Sequence, residues 1–91
     1  MHLEIVSPEQ IILSDEVSSV SVPGINGEFQ MLDHHAPVVS VLKNGAIKLD
    51  KTVDLPKTSK DLFYEKEAKL NFDITGGVIE LKDNKVVILI D

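Results

Sequence analysis

The sequence predicts an all-β fold: a two-sheet β-sandwich, or flattened barrel, of about ten short strands. Three observations carry this. Apolar and polar residues alternate with period two in several separate stretches, which puts one face in a core and leaves the other wet. Val and Ile are abundant, whereas Ala occurs only at positions 36, 46 and 68, a balance that favours strands over helices. Turn-forming residues recur every eight to twelve positions or so, the spacing of short antiparallel strands.

The strands follow in order along the chain. Leu3 and Ile5 face one way, with His2 and Glu4 the other. Val20 and Val22 alternate with Ser19 and Ser21. Pro23-Gly24 and Gly27 then force a sharp bend, because Pro fixes φ and Gly permits positive φ. Ala36 to Leu42 reads as a strand, with Pro37 in a first or edge position. Ile47 and Leu49 alternate with Lys48 and Asp50. From Asp50 to Lys69 the pattern fades: Pro56 to Ser59 reads as a loop, and Leu62-Phe63-Tyr64 as a short strand or one helical turn. Leu70, Phe72 and Ile74 alternate with Asn71, Asp73 and Thr75. Gly76-Gly77 marks a bulge or a close backbone crossing. Val78 to Leu81 and Val86 to Ile90 flank Lys82-Asp83-Asn84-Lys85, a hairpin with Asp-Asn at its tip.

With 91 residues the chain has room for one domain, spanning 1–91. Its formal net charge is -6, and all nine basic residues are Lys. Without Arg, the usual bidentate reader of phosphate and guanine, and with an acidic balance, nucleic-acid binding is not expected. Nor is adsorption to an anionic bilayer, which needs a basic cluster. No cysteine is present, so disulfide and thiolate chemistry are excluded. No apolar run approaches the ~20 residues of a membrane helix, and the opening residues do not read as a signal peptide.

Catalytic readings find little support. Asp33, His34 and His35 invite a metal-dependent hydrolase, but neighbouring strand residues point to opposite faces and zinc needs three or four convergent ligands. No serine sits in a Gly-x-Ser-x-Gly elbow, and Gly76-Gly77 lacks the Lys and helix of a phosphate loop. No enzyme activity, cofactor or metal is expected.

The richest stretch is Val22 to Pro37, VPGINGEFQMLDHHAP. It resembles the Pro-Gly-x-x-Gly-Glu-Phe/Leu-x-x-Leu-x-x-His-Ala-Pro segment of the epsilon subunit of F-type ATP synthases. HLEIVSPEQIILSDEVSSVSVP is similar to that family's first hairpin, LKNGAIKL to its Leu-Lys-x-Gly segment, and FDITGGVIELKDNKVVILID to its closing hairpin, all in the same order. The likeness covers Met1 to about Leu49 and Leu70 to Asp91, and lapses between them, where the family's connection is usually shorter.

The resemblance implies a non-catalytic rotor subunit of a bacterial F-type ATP synthase. It would lie at the cytoplasmic face of the inner membrane, clamping gamma to the c-ring and coupling proton flow to ATP synthesis. Gly27, Glu28 and Phe29 would meet the polar loops of the c-ring, with Glu28 making charge-assisted hydrogen bonds. Ser7, His35, Ala36, Pro37, Ser40 and Leu42 would meet gamma. The family commonly has Pro-Gly where this chain has Asp33-His34, so this turn is expected to be restricted in φ. Many members continue into a two-helix hairpin that restrains ATP hydrolysis. The sequence ends at Asp91, and hairpin-mediated inhibition is not expected. The rival reading is a free-standing β-sandwich adaptor for another protein.

Overall fold

A computed structural model describes residues 1–91, and ten strands make up most of it. They are β1 (His2–Val6), β2 (Ile11–Glu16), β3 (Ser19–Gly24), β4 (Gly27–Leu32), β5 (Val38–Leu42), β6 (Gly45–Asp50), β7 (Tyr64–Lys66), β8 (Lys69–Ile74), β9 (Gly77–Lys82) and β10 (Lys85–Ile90). The all-β expectation holds. The two leaves belong to one curled hydrogen-bonded sheet, ordered β2-β1-β10-β9-β5 and then β3-β6-β8-β7, with β4 on the other side of β3.

Leaf changes leaf at a single point. β5 pairs with β9 along its length but reaches β3 only at Gly24↔Leu42. The β3–β6 ladder consists of Val20↔Leu49 and Ser21↔Lys48 and stops there. Pro23 lies just beyond, and a proline has no N–H to continue a ladder. The β5–β6 corner fills the gap, with the Lys43 N–H donating to the Pro23 carbonyl at 2.9 Å.

The core is built as alternation demands. Leu3, Ile5, Val20, Val22, Met31, Ile47, Leu49, Ile79, Leu81, Val86 and Ile88 are fully enclosed between the leaves. Val86 and Ile88 face inward while Val87 and Leu89 face out, so the unbroken apolar run of β10 dresses both sides of its leaf. Gly77 is the close crossing expected from sequence. A Cβ there would stand 2.4 Å from the Leu89 carbonyl oxygen, which only glycine avoids.

The weak region from 50 to 69 is ordered, and both readings of its end are present: a 3-10 turn at Lys60–Leu62, then β7. Phe63 packs on Phe72 with ring centroids 5.1 Å apart. Ser59 is buried and its hydroxyl donates to the Ile12 carbonyl of β2. The segment therefore straps the free edge of one leaf to the other. Its half-buried Val53 and Leu55 rest on the core.

Candidate functional site

The β3–β4 hairpin turns through Ile25 and Asn26, with Gly27 at φ 124. Gly at that position satisfies a backbone that a Cβ would strain. The hairpin is held against β5 by the Ile25 N–H donating to the Val41 carbonyl at 3.3 Å. Glu28 is exposed on the first turn-proximal stretch of β4, while Phe29 turns half-inward onto the core. Glu28 does not project freely. Its Oε1 lies 2.8 Å from Nζ of Lys48, a contact that reaches across β3 to β6. That carboxylate, through both hydrogen bond and charge, holds the Lys48 ammonium above the usual lysine range. The tip itself is Ile25, 57% exposed, which the motif reading passed over in favour of its charged neighbour.

The six positions expected at gamma do not form one cluster. Ser7 lies in the β1–β2 turn, where its hydroxyl and N–H both bond the Gln10 carbonyl. His35, Ala36 and Pro37 are exposed in the turn before β5, and the Ala36 carbonyl is 2.7 Å from His35 Nδ1. Ser40 lines a small cleft with Gly24 to Phe29. Leu42 is only 3% exposed and belongs to the core, so its side chain is absent from the surface. Strand parity is the reason: on β5 the outward residues are Val39 and Val41.

The turn with Asp33-His34 keeps a left-handed geometry without glycine. His34 has φ 63, and its N–H donates to Asn84 Oδ1 at 2.8 Å, tying this turn to the tip of the β9–β10 hairpin. Asp33 accepts from the amino group of Met1, which holds its carboxyl below the usual range. His2 pairs elsewhere, with Glu16 at 2.9 Å. No group of three or more His, Asp or Glu side chains is arranged to hold a metal ion.

The most distinctive surface was not read from sequence. Register aligns Val41↔Val78, Val78↔Leu89, Leu89↔Val6 and Val6↔Ile11. These five outward residues form one apolar row across β5, β9, β10, β1 and β2, and Val39, 75% exposed, stands beside it. Four strand gaps make the row about 19 Å wide. The next row is mixed, with Val39 and Val87 among Glu80, Glu4 and Ser14, and the row after it is charged: Lys82, Lys85, His2 and Glu16. The corresponding row on the other leaf runs Gln30, Ser21, Lys48, the buried Asn71 and Tyr64, and is not an apolar band. Contiguous exposed apolar surface of this kind is where protein partners commonly dock.

No helix is long and apolar enough to cross a membrane. Residues 1–91 match the family described as ATP synthase, Delta/Epsilon chain, beta-sandwich domain. The ATP synthase epsilon chain of Chlorobaculum tepidum is 38% identical over 87 residues, spanning 96% of this chain and 84% of that one. The epsilon chain of Nitratidesulfovibrio vulgaris (strain DSM 19637 / Miyazaki F) is 36% identical over 90 residues, but the match spans only 56% of its length. The fold is also similar to a chain in the central stalk/c-ring structure of Tetrahymena thermophila mitochondrial ATP synthase. There the TM-score is 0.76 at 18% identity, over 99% of this chain and 62% of that one. A chain in the Euglena gracilis mitochondrial ATP synthase gives 0.73 at 23% identity, over 97% and 48%. Fold, motif order and sequence identity thus agree that this chain belongs to the delta/epsilon family of ATP synthase β-sandwich domains, non-catalytic components of that enzyme.

Proposed function

We propose that the domain works as a mechanical clamp in the rotor, gripping gamma on the apolar face and the c-ring at the β3–β4 hairpin end. Proton flow through the ring is thereby coupled to ATP synthesis in the catalytic head. The domain lies at the cytoplasmic face of the bacterial inner membrane, attached through its partners. The observation that carries this reading is the row Val41, Val78, Leu89, Val6 and Ile11, apolar surface left open on an otherwise acidic domain. Ser7, at the β1–β2 end of the row, and the turn His35 to Pro37, ahead of β5, would extend the gamma contact along the strand. Ser40 would join it from the edge, and Leu42 would act only by anchoring β5 in the core. Gly27, Glu28 and Phe29 would meet the ring's polar loops together with the exposed tip, Ile25 and Asn26.

The test is binding of purified gamma to the domain and to a Val41→Lys/Leu89→Lys variant. Both side chains are exposed, so folding should persist while two charges enter the apolar row. Gamma affinity should fall by at least tenfold, a typical loss when the centre of an interface is disrupted. Undiminished binding by a folded variant would remove the apolar face from the clamp. Copurification with an unrelated protein in place of ATP synthase subunits would favour the adaptor reading instead.

A further inference from the structure

We infer that Lys48 is an internal competitor for Glu28, and that it sets how tightly the hairpin end holds a cationic partner. The inference rests on the proposed role of Glu28 at the ring. The geometry is an ion pair already made. Lys48 Nζ sits 2.8 Å from Glu28 Oε1, on the outer face of the β4-β3-β6 leaf. Both side chains remain partly open, 31% exposed for Lys48 and 52% for Glu28, so a partner can reach the carboxylate without unfolding anything.

A partner cation approaching Glu28 meets two obstacles. Part of the carboxylate's charge is already satisfied, and the resident ammonium repels the newcomer. Lys48 lies in a cleft whose walls include Lys43, Lys66 and Glu67. Glu67 also attracts the Lys48 ammonium, though less than Glu28 does. The ammonium is partly open to solvent, so water can take it up when the partner takes Glu28. Release is inexpensive, and the contact is tunable and reversible. A domain without the competitor would hold its partner harder but with less discrimination among cations.

The prediction is a gain of binding from removing a charge. The probe is the detergent-solubilised c-ring from the same organism, immobilised, with wild type, Lys48→Gln, Glu28→Gln and the double variant passed over it at low salt. Lys48→Gln should bind about 1.4–5-fold more tightly, the range set by an exposed ion pair of about 0.2–1 kcal/mol. The gain should shrink at high salt as charges are screened. It should also vanish in the Glu28→Gln background, because the two residues act through one contact. Thermal unfolding of each variant confirms that the fold is retained. If Glu28→Gln weakens binding while Lys48→Gln leaves it unchanged or weakens it too, Lys48 positions Glu28 or is idle, and this inference alone falls. If Glu28→Gln has no effect, the assignment of Glu28 to the ring falls with it.

Discussion

The turn between β7 and β8 holds two left-handed residues, neither of them Gly or Asn, and relieving that strain should stabilise the protein. Glu67 and Ala68 both have positive φ, 54° and 63°. Such a two-residue turn matches the twist of its strands but wants Asn-Gly, because a Cβ in the left-handed region costs about 1–2 kcal/mol. Asn71 offsets part of this. Its buried amide donates to the carbonyls of Lys66 at 3.2 Å and Lys69 at 3.0 Å, bracing the two residues that flank the turn. In Ala68→Gly the Cβ strain goes, while the more flexible unfolded chain takes back roughly 0.5–1 kcal/mol. The net gain is about 0.5–1 kcal/mol, and Glu67→Asn adds a few tenths because Asn tolerates this conformation. The double variant should therefore gain about 1 kcal/mol, raising Tm by about 4–8 °C for a domain of this size. Urea unfolding should show a higher midpoint with an unchanged slope. Ala46→Gly, at the second residue of β6 where φ is negative, is the control and should lose stability by about 0.5–1 kcal/mol. A double variant no more stable than wild type would show that the turn does not carry this strain.

Three further outcomes are expected. His34→Gly should stabilise by about 0.5–1 kcal/mol in urea titration, since φ 63 is retained and the N–H to Asn84 is untouched. Ser59→Ala should cost about 1–3 kcal/mol by leaving the buried Ile12 carbonyl without its donor, and hydrogen exchange should show β2 opening more readily. The chain's one tyrosine gives a clean pH test. Tyr64 donates its phenol hydrogen to Asp73 at 2.6 Å, which raises its pKa above the usual tyrosine value. A proton held more firmly in the folded state stabilises the fold below pH ~10, and that contribution disappears as pH rises through the folded-state pKa. Ultraviolet titration should show the phenol ionising above its ordinary range in wild type and returning toward it in Asp73→Asn.

Much of this fold was legible because its strands obey period two. Leu3 and Ile5, Val20 and Val22, Ile47 and Leu49, and Phe72 and Ile74 all lie inward as alternation requires. The β9–β10 hairpin was equally plain, since Asp83-Asn84 suits the positive φ both residues adopt. β7 was only half-seen because its turn, Glu67-Ala68, carries no turn chemistry at all; the pairing with β8 and the Asn71 brace enforce it. β4 follows the Gly24–Gly27 bend directly, and Phe29 and Met31 alternate there with Glu28 and Gln30, a pattern short enough to be masked by the bend. The resemblance places the whole segment around Leu42 at the surface, whereas parity along β5 sends Leu42 inward. The apolar row was beyond any local reading. Val6, Ile11, Val41, Val78 and Leu89 are scattered through the sequence, and only register brings them into line.

Register also explains how two proposed surfaces can act as one clamp. The β3–β4 hairpin is joined to β5 by Gly24↔Leu42, by the Ile25 N–H to the Val41 carbonyl, and by the Lys43 N–H to the Pro23 carbonyl. Val41, whose backbone receives the hairpin, belongs through its side chain to the apolar row. A push on the hairpin tip would therefore reach the apolar row, proposed to meet gamma, through one residue's backbone. On the opposite side Ser59 ties β2 to the strap through its hydroxyl to the Ile12 carbonyl, which resists splaying of the leaves. The curled sheet is closed at both open sides, at β5–β3 by the Gly24↔Leu42 pair and its flanking hydrogen bonds and at β2 by the segment between β6 and β7. Loosening either closure should weaken transmission while leaving both binding surfaces chemically intact.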